Sequence, residues 1–184
     1  MSKNALVFWF TGLSGAGKTT ISQGLAARLT AKGISVRILD GDDVRGQRDK
    51  PLTFSYEDIV ANNRAMAQLA KSLRGTYQVI LVPIISPIAE IRAEHRRVLS
   101  PGFYEVYIKA TLPCVIERDV KGLYKKVASG QIKDMIGCEG GVAYEEPKMP
   151  DMTIDTQQAG VADCTAKLEQ FVLQRLNSAQ EEGS

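Results

Sequence analysis

The stretch Gly12-Leu13-Ser14-Gly15-Ala16-Gly17-Lys18-Thr19 constrains this chain more than any other. It fits G-x-x-x-x-G-K-[ST], the P-loop pattern, which works only between a strand and a helix, because its backbone N–H groups must converge on phosphate oxygens at a helix N-terminus. Both flanks meet that requirement. Ala5-Leu6-Val7-Phe8-Trp9-Phe10 is an apolar, aromatic-rich run of the kind buried in a parallel sheet. Ile21, Leu25 and Leu29 recur at helical spacing up to Lys32, where Gly33 supplies a stop. The glycines allow the backbone to bend round an anion. Lys18 is expected to reach the β- and γ-phosphates of a nucleoside triphosphate, and the Thr19 hydroxyl to ligate Mg²⁺.

The rest of the chain alternates strand and helix. Ile34–Leu39 reads as a second strand closing at Asp40-Gly41-Asp42-Asp43, followed by a polar loop from Val44 to Thr53. A helix from Ser55, as N-cap, to Leu73 follows from the spacing of Ile59, Met66, Leu69, Ala70 and Leu73. Gln78–Ile85 and Phe103–Ile108 read as further strands, Ile88–Leu99 as a helix between them, and Met152–Asp155 as a short fifth strand. A last amphipathic helix spans Val161–Leu176, with a polar tail at 177–184 expected to fray. This order predicts an α/β fold of the P-loop NTPase type: a three-layer sandwich around a mostly five-stranded parallel sheet, in one domain over residues 1–184. The interval 119–150 has no apolar period, carries four lysines between Lys121 and Lys133, and is predicted to be a lid over the phosphates.

A net charge of +2 with 24% charged residues speaks against a nucleic-acid-coating or polybasic membrane protein. No apolar run reaches membrane-spanning length and no signal peptide is apparent. Cys114, Cys138 and Cys164 are widely spaced and are expected to be free thiols in a reducing compartment, so a cytoplasmic location is expected. His95, among Arg92, Arg96 and Arg97, is expected at the surface, the arginines on a solvated face, and Trp9 in the core.

Among P-loop chemistries, a GTPase switch would need N/T-K-x-D, which is absent. Motors usually follow a strand with a carboxylate that positions water and are generally larger. Here Asp40 and Asp42 close the second strand, where strand ends line the ligand crevice. One carboxylate can accept a hydroxyl proton while the other helps hold Mg²⁺, which points to phosphoryl transfer onto a small hydroxyl compound.

A resemblance then becomes specific. Leu39-Asp40-Gly41-Asp42-Asp43-Val44-Arg45 resembles the L-D-G-D-N-[VI]-R of adenylylsulfate (APS) kinases. Ile85-Ser86-Pro87 is similar to their I-S-P, and Arg118-Asp119-Val120-Lys121-Gly122-Leu123-Tyr124-Lys125-Lys126 to their R-D-P-K-G-L-Y-K-K. Tyr144-Glu145-Glu146-Pro147 resembles Y-E-x-P, and the P-loop with Thr20 matches G-x-S-G-[AS]-G-K-[ST]-T. The resemblance implies transfer of the γ-phosphoryl of ATP, with Mg²⁺, to the ribose 3′-hydroxyl of APS by a homodimer. It implies an ATP side made of Gly12, Ser14, Gly15, Ala16, Gly17, Lys18, Thr19, Thr20, Arg118 and Lys121, with Thr19 and Asp42 toward the metal. Asp42 would activate the hydroxyl with support from Asp40, and Lys18 and Ser86 complete the catalytic set, Ser86 first as a substrate-lining residue. Arg45, Phe54, Asn62, Ile85 and Ser86 would line the acceptor side.

The departures cluster on that acceptor side. Where the family reads D-R-x-E-N-I-R, this chain has Asp58-Ile59-Val60-Ala61-Asn62-Asn63-Arg64, and F-T-G-I becomes Met135-Ile136-Gly137-Cys138. Replacing an arginine by Ile59 removes a charge-assisted contact worth about 1.5–3 kcal/mol, for which Arg48 in the preceding loop could compensate. Met135 stands where an aromatic would stack on the acceptor's adenine. Two alternatives follow: a sister kinase for another anionic nucleotide, such as a CDP-linked acceptor, or a nucleotide-binding regulator without turnover.

Overall fold

The computed structural model describes residues 5–41 and 53–181. Five parallel strands form one sheet: β1 (Leu6–Thr11), β2 (Val36–Ile38), β3 (Val79–Pro83), β4 (Phe103–Lys109) and β5 (Met152–Asp155), in the order β2-β3-β1-β4-β5. The helices are α1 (Lys18–Ala31), α2 (Tyr56–Ser72), α3 (Ala89–Leu99), the short α4 (Leu112–Arg118) and α5 (Leu123–Ala128), and α6 (Val161–Glu181).

The alternation of β1 sorts the core into two layers. Leu6, Phe8 and Phe10 pack with Ile21, Leu25 and Leu29 of α1 and Leu168, Phe171 and Val172 of α6. Ala5, Val7 and Trp9 point the other way, against Met66, Ala67 and Ala70 of α2 and Leu99 of α3. Such strands, buried on both faces, are what a parallel sheet between two helix layers requires. The expected three-layer α/β architecture is therefore present, and Ser55 does cap α2, its side chain accepting from the Asp58 N–H.

Two expectations are corrected. Helix α6 runs on to Glu181, so the tail through 181 is helical. His95 and Arg92 are 1% and 3% exposed, not at the surface. The spacing explains the burial of Arg92 and His95: Ile88, Ile91, Arg92, His95 and Leu99 form one stripe along α3 that faces the sheet. The His95 ring lies on Trp9 with centroids 4.2 Å apart, and Arg92 Nε donates to Glu105 Oε1 of β4 at 2.7 Å. Arg96, half-buried, reaches Asp151. The three cysteines are free thiols.

Because β1 is central, its carboxyl end opens directly into the glycine loop. β3 lies on one side of it and β4 on the other, so the segments leaving three adjacent strands converge at one edge, where the site is built.

Candidate active site

The glycine loop takes the shape its residues allow. Gly17, in the left-handed region at φ 103°, turns the chain into the first residue of α1, and Lys18 begins the helix. At Gly12, φ 147°, a Cβ would sit 2.3 Å from the Ile108 carbonyl oxygen, so no side chain fits between β1 and β4 there. Lys18 is 7% exposed, and its Nζ donates to the carbonyl oxygens of Gly12 and Leu13 at 2.8 and 2.7 Å. Burial, with nearby Lys121 adding to it, lowers its pKa to about 7.

A cavity of about 490 Å³ opens above this loop. At one end it is lined by Ser14, Gly15, Gly17, Lys18, Thr19 and Thr20, with Asp40 just after β2 and Lys121 near the start of the interval 119–150. At the other it is lined by Phe54, Asn62, Ile85 and Ser86, together with Ile59 and Asn63. Twelve of the residues expected at the site therefore share one space: these six loop residues, Asp40, Lys121, Phe54, Asn62, Ile85 and Ser86. Gly12 and Ala16 are buried beneath it. Arg118 does not line it; its guanidinium donates to the Thr156 hydroxyl and carbonyl oxygen, at 3.0 and 2.6 Å, and Thr156 Oγ1 donates in turn to Ala16 O. Asp42, Arg45 and Arg48 lie outside the described residues.

The two ends are tied by hydrogen bonds. The Gly12 N–H donates to Ile85 O at 3.3 Å, and the Thr11 hydroxyl lies 2.8 and 3.0 Å from the carbonyl oxygens of Ile85 and Ser86. Ser86 is buried with φ 47°, and its Oγ has no hydrogen-bond partner among the described residues. Asn63, also buried, donates through Nδ2 to Ile59 O and has no partner for Oδ1 among the described residues.

The interval 119–150 is folded onto the loop rather than lying as a free surface segment. Tyr124 OH donates to Ser14 O at 2.9 Å, and burial pushes its pKa up to about 12. Tyr144 OH bonds Thr11 Oγ1 at 2.9 Å. A Cβ on Gly137 would meet Leu13 Cδ2 at 2.7 Å. Met135 is 2% exposed and belongs to the core cluster containing Leu13 and Ala16; the cavity wall from this stretch is Ile136. Tyr124 and Tyr144 sit inside K-G-L-Y-K-K and Y-E-x-P, where sequence reasoning assigns them no role; two tyrosines in an otherwise polar, glycine-rich interval are the signal that could have found them.

The donor set fits Mg-ATP. The Thr19 hydroxyl and the Asp40 carboxylate line the cavity beside Lys18, and Mg²⁺ takes one or two such oxygens plus substrate phosphates rather than an all-protein cage. Among the described residues no group of three or more His, Cys, Asp or Glu forms such a cage.

Comparisons with known proteins converge on one family. A family model described as adenylylsulphate kinase matches residues 4–155. An adenylyl-sulfate kinase of a Synechococcus strain is 40% identical over 178 residues, the alignment covering 97% of this chain and 98% of that one. A probable bifunctional SAT/APS kinase of Sorangium cellulosum is also 40% identical, over 91% of this chain but only 29% of its own length. The solved APS kinase of Mycobacterium tuberculosis, in complex with AMPPNP and APS, superposes with a TM-score of 0.81 at 34% identity, covering 95% of this chain and 98% of that one.

Proposed function

Since the chain belongs to the adenylylsulfate kinase family, we propose that it transfers the γ-phosphoryl of ATP to the ribose 3′-hydroxyl of APS, giving 3′-phospho-APS. The observation that carries this is the single cavity in which Lys18 and Asp40 stand at one end and Phe54, Asn62 and Ser86 at the other. Donor and acceptor groups in one shared space are what an in-line transfer needs, since most of its catalysis is positioning and charge stabilisation.

In this reading the loop N–H groups and Lys18 receive the phosphates, Lys18 exchanging two carbonyl partners for phosphate oxygens. Thr19 and Asp42, with Asp40 in support, would hold Mg²⁺, which would neutralise phosphate charge when bound. Asp42 takes the proton from the acceptor hydroxyl, supported by Asp40. Phe54 offers a face to the adenine, Asn62 an orienting amide, and Arg45 and Arg48 charge for the anionic group, while Ile85 and Ser86 form the floor. Arg118 and Lys121 serve the nucleotide side. The relatives are named for APS, and neither the CDP-linked acceptor nor the regulator without turnover has comparable support. We place the enzyme in the cytoplasm, in sulfate assimilation, as a homodimer; among the described residues no helix is long and apolar enough to cross a membrane.

The test is ADP release with Mg-ATP and a panel of APS, CDP-linked and UDP-linked anions and simple nucleosides. APS should give the highest kcat/KM. A higher value for a non-adenine nucleotide, or no acceptor-dependent release at all, would overturn the reading.

A further inference from the structure

We propose that Arg92 is a positioning residue of the acceptor pocket, which locks the Ser86 turn and the returning end of the lid into one unit; this rests on the kinase reading above. Arg92 is buried on α3 and uses its planar guanidinium in three directions. Nε donates to Glu105 Oε1 at 2.7 Å, Nη1 to the Ser86 carbonyl oxygen at 2.8 Å, and Nη2 to the Glu145 carbonyl oxygen at 2.7 Å.

Each partner has a separate reason to need holding. Ser86 sits at φ 47°, a conformation a serine keeps only where its surroundings over-determine it. Its carbonyl is fixed from one side by Arg92 and from the other by the Thr11 hydroxyl, one residue before the glycine loop. Glu145 ends the lid's return path. Its N–H donates to Pro87 O at 2.9 Å and its Oε2 accepts from the Ala89 N–H at 2.6 Å, at the first turn of α3. Tyr144, next to it, bonds Thr11. Glu105 anchors the guanidinium from β4, and Asp151, where the lid rejoins the sheet, accepts from the Glu105 N–H at 2.7 Å and from Arg96.

Thus the floor of the acceptor end and the lid's returning segment meet on one side chain, and a change in either is felt by the other. A lysine cannot replace this. It carries the charge and can pair with Glu105, but an ammonium on a flexible stem cannot present three fixed N–H groups to a carboxylate and two carbonyls. If Arg92 served only to balance Glu105, lysine would suffice.

The experiment is steady-state kinetics of the wild type, Arg92→Lys and Tyr144→Phe, with thermal midpoints measured alongside. Arg92→Lys should fold, raise KM for APS about tenfold or more, as loss of a charge-assisted hydrogen bond does, and leave KM for Mg-ATP within about twofold. Tyr144→Phe should shift KM for APS in the same direction by a smaller factor. A folded Arg92→Lys with wild-type KM for APS, or with both KM values raised equally, would overturn the proposal. If Arg92→Lys does not fold, an unchanged KM for APS in Tyr144→Phe overturns it instead. A wild type that turns over no APS sinks the kinase reading first and this inference with it, an outcome distinct from an active wild type beside an unaffected variant.

Discussion

Lys18 spends its donors on its own loop: both the Gly12 and Leu13 carbonyls hold its Nζ. With a pKa lowered to about 7 by burial and by Lys121, a large share of this group is neutral just above neutrality. Bringing in phosphate charge favours the ammonium, so the pKa rises on ATP binding and a proton is taken up. The sign follows. Below pH 7 the free enzyme is already protonated and affinity is flat; above it, affinity for ATP falls by up to about tenfold per pH unit until the bound-state pKa is reached. Titration calorimetry at pH 8 in buffers of different ionisation enthalpy should report net proton uptake, absent in Lys18→Met. Lys18→Ala should abolish turnover. Asp42→Ala should lower kcat by about 10²-fold or more, the loss expected of a general base; a near-normal kcat, measured by ADP release, would remove that role.

At the scale of elements, α3 shows where sequence patterns stop being readable. β1, α1 and α2 were legible because apolar spacing and capping residues agreed: Gly33 follows α1, and Ser55 precedes α2 and caps it. In α3 the polar residues on the inward stripe hid the period, since a run of arginines with one histidine reads as solvated until Glu105 and Trp9 are seen opposite it. The same limit applied to Met135, whose position in a family motif suggested the acceptor pocket although the chain turns it into the core under Leu13. The buried His95 has a measurable consequence. Burial, opposed by Glu94 and reinforced by Arg64 and Arg92, pushes its pKa down to about 4, whereas the unfolded chain binds that proton near the ordinary value of about 6.5. Its neutral form contributes stability that is fully present above pH 6.5 and is lost as pH falls toward 4, by up to about 3 kcal/mol. Urea midpoints at pH 7.5 and 5 should diverge less in His95→Phe, which keeps a ring on Trp9; an identical divergence in both proteins would count against this assignment.

On the scale of the molecule, the strand order β2-β3-β1-β4-β5 sets the division of labour. In the proposed reading the loop after β1 takes the phosphates and the turn after β3 floors the acceptor; the segment after β2 brings Asp40 to the same cavity, and the long excursion between β4 and β5 adds Val120, Lys121 and Ile136 to its wall. Tyr124 bonds that excursion to the glycine loop, through one hydrogen bond to Ser14 O. A neutral hydrogen bond of this kind contributes about 1 kcal/mol, so Tyr124→Phe should raise the population of lid-open molecules about fivefold. Lys121, Lys125, Lys126 and Lys133 are exposed along the lid and supply trypsin sites. When opening and closing are fast relative to cleavage, the cutting rate tracks that open population. Limited trypsinolysis should therefore cut Tyr124→Phe about fivefold faster within 121–133 than the wild type, and Mg-ATP with APS should slow cutting in both. Equal rates in the two free proteins would mean that Tyr124 does not hold the lid, and that closure rests on Tyr144 and the residues gathered round Arg92.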